Sequence, residues 1–127
     1  MSNLDRIWNR ALDGGADGDG DLALAAALVF HGMVMNGGAL HAVETIDPEE
    51  LAEAKDGYRW LGLDQVADLI TRIEAEAAAL APGDVEAVED LETSADDDYY
   101  ALIPDDAALQ EALAARYDEE PDAFDAV

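Results

Sequence analysis

Apolar residues recur with a helical period along nearly the whole chain. Leu4, Ile7, Trp8, Ala11 and Leu12 fall at i, i+3, i+4, i+7 and i+8, and Ser2 is placed to cap the helix they predict. Gly14 to Asp21 is so dense in glycine and aspartate that it reads as a loop unable to hold a helix. From Asp21 a second helix carries Leu22, Leu24, Ala25, Leu28, Val29 and Met33. It is apolar on nearly every side, which predicts the central buried helix of the fold. Asn36-Gly37-Gly38 ends it, because glycine and asparagine tolerate the left-handed backbone that closes helices.

After a short segment from Ala39 to Thr45, Asp47, Pro48 and Glu50 signal a helix start: a cap, a proline in the first turn and an acid three residues beyond the cap. That helix carries Leu51, Ala54, Tyr58 and Leu61 and stops at Gly62. Asp64 opens another, with Val66, Leu69, Ile70, Ile73, Ala77 and Leu80 on one face, closed by Pro82-Gly83. A shorter acidic helix is predicted from Asp84 to Thr93, packing through Val85, Val88 and Leu91. A last one begins at Asp105 or Asp106, carries Leu109, Leu113 and Tyr117, and ends before Pro121. No segment alternates with the period of a strand. The pattern predicts one all-α domain over residues 1–127, compact, with about six or seven helices.

Composition sharpens this. The chain has 127 residues, half of them apolar, enough to bury roughly two-thirds of the unfolded surface in a single core. Thirty-one acidic residues face six basic ones, for a net charge of −25. Such a surface repels DNA, RNA and anionic membranes, so direct nucleic-acid or membrane binding is not expected. The absence of cysteine removes disulfides, thiol nucleophiles and Cys-based zinc sites. No basic-apolar leader and no run of eighteen apolar residues occurs, and a soluble cytoplasmic domain is the expectation.

The charge is lopsided. Residues 1–62 hold 11 acids and 4 bases; residues 63–127 hold 20 acids and 2 bases. Between Pro82 and Asp106 lie Asp84, Glu86, Glu89, Asp90, Glu92, Asp96, Asp97, Asp98, Asp105 and Asp106, with no basic residue among them. Glu86, Glu89 and Asp90 share a helix face, where like-charge neighbours cost a few tenths of a kcal/mol each. Interleaved lysines would relieve that cost, and the sequence has none there.

Other chemistry is thinly signalled. In Asp13-Gly-Gly-Ala-Asp17-Gly-Asp19-Gly-Asp21 an EF-hand register from Asp17 puts Leu22 where glycine belongs and Leu28 where the bidentate glutamate belongs. The loop therefore reads as an acidic turn. His31 and His41 with Glu44 could share a metal only if a third ligand joined them, and none has recognisable spacing. Nucleophile elbow, phosphate loop and triad patterns are all missing, so neither an enzyme nor a cofactor is expected. One of Tyr99 and Tyr100 is expected to pack under the last helix while the other shields its start.

Three segments in order resemble a known family. They are Val34-Met35-Asn36-Gly37-Gly38; Tyr58-Arg59-Trp60-Leu61-Gly62-Leu63 running into Val66-Ala67-Asp68-Leu69-Ile70; and Asp97-Asp98-Tyr99-Tyr100-Ala101-Leu102, followed by Leu109 to Tyr117 and Pro121-Asp122-Ala123-Phe124. Together they are similar to the DNA-mimic proteins, a small helical bacterial family, over about Leu22 to Phe124. The family's aromatic residues after Gly-Gly are replaced here by Ala39, Leu40 and His41. The resemblance implies an all-α domain whose carboxylates stand where duplex DNA has phosphates, and which occupies the binding surface of a basic DNA-binding protein. The phosphate-mimicking residues are then the acids from Asp84 to Asp106 named above, with Glu119, Glu120 and Asp122 extending the surface. Two other readings compete: an acidic surface set by salt adaptation or composition bias, and an immunity-type or cation-binding protein. The sequence leaves a homodimer open.

Overall fold

The structure is a computed structural model describing residues 2–127, and these are organised into seven α-helices and a short 3-10 turn. The helices are α1 (Asn3–Asp13), α2 (Asp19–Gly37), α3 (Ala39–Thr45), α4 (Pro48–Trp60), α5 (Asp64–Ala78), α6 (Val85–Leu102) and α7 (Asp106–Glu119). The turn is Pro121–Ala123. No strand occurs among the described residues. The all-α single domain predicted by the apolar period is the observed fold.

Helix α2 is the hub. It packs along α4, with α1 on its other flank and α3 at its C-terminal end; α5 and α6 build outward from α4 and α3, while α7 closes on α1. The approach of α4 to α2 depends on Gly57: a Cβ there would sit 2.4 Å from the Ala23 carbonyl oxygen. The core is largely aliphatic around three buried aromatics, with Ile7, Leu24, Phe30, Val34, Tyr58, Ile70, Ile73, Tyr99, Ile103, Leu109 and Leu113 all essentially sealed from solvent.

Local chemistry fixes the boundaries. Ser2 Oγ accepts from the Asp5 amide and the Asp5 carboxylate accepts from the Ser2 amide, a reciprocal capping box that starts α1. The α2–α3 junction turns at Gly38, whose φ of 94° lies in the region glycine favours. Asp105 is the cap of α7, accepting from the Ala107 amide at 3.0 Å.

Three expectations from the sequence are corrected. Helix α2 begins at Asp19, so Asp19, Gly20 and Asp21 are helical and the loop is shorter than the sequence suggested. Its glycines admit the C-terminal tail: a Cβ on Gly18 would meet the Ala123 carbonyl at 2.5 Å, and one on Gly20 would meet the Phe124 ring at 2.7 Å. Second, α6 does not end near Thr93 but runs on to Leu102, because Ala95 and Tyr99 continue its buried stripe below Leu91. Third, α2 is not buried all round. Among the described residues it is the helix long and apolar enough to cross a membrane. Its inner face (Leu24, Ala27, Leu28, Phe30, Val34) meets the core, yet Leu22, Val29 and Met35 are about half exposed.

Candidate functional site

Helix α6 lies at the edge of the fold, resting on α5 and α3. Only Leu91, Ala95 and Tyr99 of its length are buried. On the opposite side Glu86, the adjacent pair Glu89 and Asp90, Thr93 and Asp97 recur every three or four residues and face solvent together. Four carboxylates thus occupy about 16 Å of helix axis, a mean spacing of about 5.5 Å, wider than the spacing of about 3.4 Å between charges of a single DNA strand. Among the described residues none of these four has a cationic partner.

The remaining predicted carboxylates divide by what they touch. Asp84 caps α6 through the Ala87 amide at 3.1 Å. Asp96 reaches across to α3 and accepts from the Ala39 amide at 2.8 Å, filling the role of a cap that Gly38 cannot supply. Asp98 is paired with Arg72 of α5. Asp106 accepts from His31 Nε2 at 2.8 Å. Arg116, lying 4.4 Å above the Trp60 ring, bridges Glu119 at 3.1 Å and Glu120 at 2.8 Å. Glu119 lies about 20 Å along α7 from Asp106, at the C-terminal end of that helix, with Glu120 and Asp122 just beyond it. Glu92 turns away from the row and lines a cleft of about 360 Å³ with Asp96, Glu44, His41 and the Gly37-Gly38 backbone.

Beneath α6 lies a polar chain that the spacing of residues did not announce. The Tyr99 hydroxyl is 2.7 Å from His31 Nδ1 and 2.8 Å from the Tyr58 hydroxyl, and Tyr58 in turn reaches the Ala27 carbonyl at 3.3 Å. Since the Asp106 carboxylate can only accept, His31 Nε2 carries the proton between them. Burial pushes both tyrosine hydroxyls well above their ordinary pKa, which keeps them protonated donors across the neutral range. Tyr99 thus directs its hydroxyl at α2 and α4, and Tyr100 is turned toward Met35, its hydroxyl 3.7 Å from Sδ. With both ring nitrogens of His31 engaged and His41 bonded to Thr45, the set His31, His41 and Glu44 is not assembled. Among the described residues no cluster of three His, Asp or Glu is arranged around a metal position.

The Asp-rich loop is equally committed. Asp21 is almost fully buried, receiving Arg10 at 2.8 Å and the Asp125 amide at 2.7 Å. Arg10 also donates to the carbonyls of Asp125 and Ala126, and Asp125 accepts from the Asp17 amide at 2.9 Å. Its chemistry is that of a clasp for the tail.

A small all-α domain that presents a row of exposed carboxylates along a peripheral helix is the class of protein these features define. Residues 19–126 match the family described as DMP19-like protein, and the chain belongs to that family. This is the DNA-mimic-type family that the three sequence segments resemble, and the matched range extends their span by a few residues at each end. No curated protein and no solved structure matches the chain. The departure from the family pattern at Ala39-Leu40-His41 is absorbed locally: Ala39 and Leu40 are buried, and the His41 ring lies over Gly37.

Proposed function

We propose that the protein occupies the DNA-binding groove of a basic DNA-binding protein and blocks its access to DNA. The observation that carries this is the outward row Glu86, Glu89, Asp90 and Asp97, presented on one face of a regular 18-residue helix. Proteins that bind duplex DNA gain free energy by matching a line of fixed negative charge with Lys and Arg. A rigid helix that presents a line of fixed carboxylates offers such a groove an electrostatic match of the same sign, with fast, steered association. Asp84 and Glu92 flank the row, and the Glu44–Glu92 cleft continues the negative surface toward α3. Asp96, Asp98 and Asp106 contribute field but are held by the fold. The row needs neither catalytic group nor cofactor to act in this way, and a cytoplasmic setting, where such partners work, suits it.

The reading requires that partner and DNA exclude each other. Immobilised protein exposed to a native lysate at low salt is expected to capture a DNA-binding protein that added duplex DNA elutes. A captured partner that binds DNA and this protein simultaneously would overturn the reading.

A further inference from the structure

The α6 row leaves unexplained a second surface on the other side of the hub. Leu22 (53% exposed) and Val29 (50% exposed) project from α2 one heptad apart, with Ala25 and Ala26 between them. Beside this ridge runs an open groove of about 630 Å³ between α2 and α4. Its floor and ends are Leu22, Ala23, Ala26, Val29, Gly57 and Trp60, and its rim is Asp19 with Glu50, Glu53 and Asp56 of α4. On the other flank of the same ridge, Leu12 (60% exposed) and Met33 border a smaller apolar hollow. A helix that is apolar all round belongs in a core, yet here one side is left bare.

We propose that this groove docks an amphipathic helix of a partner protein, apolar along one stripe and lined with Lys or Arg on the side facing α4. The acids on the rim select that occupant. Glu50, Glu53 and Asp56 follow one another at three-residue steps, a row about 9 Å long against which basic side chains one turn apart are in register. Rim Asp56 is met by Arg59, at 3.6 Å from the adjacent turn, and among the described residues Glu50 and Glu53 have no cationic partner. A second copy of this chain brings an identical acidic rim to the contact, and a membrane surface desolvates the same carboxylates without pairing them. The ridge from Asp19 to Val29 extends about 15 Å, matching a docked helix of about three turns.

The probe is a fluorescently labelled leucine–lysine peptide of about 14 residues with helical periodicity, compared by anisotropy with a scrambled peptide of identical composition. The expected result is binding about tenfold or more tighter for the ordered peptide, with the difference lost in the Leu22→Gln/Val29→Gln variant. Both positions are half exposed, and matched circular dichroism and melting curves check that the variant is folded. The Glu86→Lys/Glu89→Lys/Asp90→Lys/Asp97→Lys variant keeps the ordered-to-scrambled ratio, which separates this groove from the α6 face. Equal affinity for both peptides, or a ratio unchanged in L22Q/V29Q, overturns the proposal. So does sedimentation showing a dimer of the wild type that L22Q/V29Q abolishes, or flotation with uncharged phosphatidylcholine vesicles that the same variant abolishes, since either assigns the groove a different occupant.

Discussion

Carboxylates that look alike in the sequence do different work in the fold. Asp96 and Asp97 are neighbours in a run of three, yet the first closes the N-terminus of α3 through the Ala39 amide while the second stands in solvent. Removing Asp96 leaves that amide without its acceptor, so Asp96→Ala is expected to destabilise the protein by about 1–2 kcal/mol. Asp97→Ala is expected to stay within about 0.5 kcal/mol of wild type and to act on partner binding instead. Paired chemical-denaturation curves check both. Asp21→Ala strips the buried partner from Arg10 and the tail, with an expected loss of about 3–5 kcal/mol in the same measurement. The shared face of Glu86, Glu89 and Asp90 was legible from their spacing alone. The roles of Asp96, Asp98 and Asp106 were not, because their partners Ala39, Arg72 and His31 lie 26 to 75 residues away.

At the scale of elements, α6 shows where periodicity stops being sufficient. Past Thr93 its sequence turns polar, and Ser94 and the three aspartates are poor helix formers by intrinsic propensity. What carries the helix on is tertiary: Ala95 and Tyr99 seat against the body of the fold, and Tyr99 locks to Tyr58 and His31. The same principle shortened the Asp-rich loop, where a buried ion pair and a docked tail recruit Asp19 to Asp21 into α2. Caps, glycine stops and apolar stripes told where most helices lie. They could not tell which side of α2 would stay uncovered, since that depends on how α1 and α4 straddle it. The tyrosine chain also makes stability depend on pH in a definite direction. Both hydroxyls hold their protons more tightly folded than unfolded, so stability is independent of their titration below pH about 10 and falls as pH rises beyond it. Tyr99→Phe is expected to lower stability at neutral pH by about 1–2 kcal/mol and to make the alkaline fall shallower. Melts from pH 7 to 11 measure both effects.

For the whole molecule, a net charge of −25 on a 127-residue domain acts on folding and on binding with opposite signs. Self-repulsion opposes the compact state, and raising salt from about 0.01 M to 1 M shortens the screening length from about 30 Å to 3 Å. The melting temperature is therefore expected to rise with salt, by about 3–5 °C for each kcal/mol of repulsion relieved. Capture of a basic partner is expected to weaken steeply over the same range, as phosphate contacts do. A differential-scanning series run beside the binding series shows the two trends crossing. An acidity that merely reported composition would give the first trend without the second.

If the protein acts as proposed, the α6 row stands in for the charges of a DNA strand. The most direct test of that role is capture by the quadruple variant Glu86→Lys, Glu89→Lys, Asp90→Lys and Asp97→Lys, whose four positions are exposed and form no ion pair among the described residues. The variant is expected to melt like wild type but no longer to retain the DNA-binding protein that wild type captures and duplex DNA elutes. Undiminished capture by the folded variant would contradict that role.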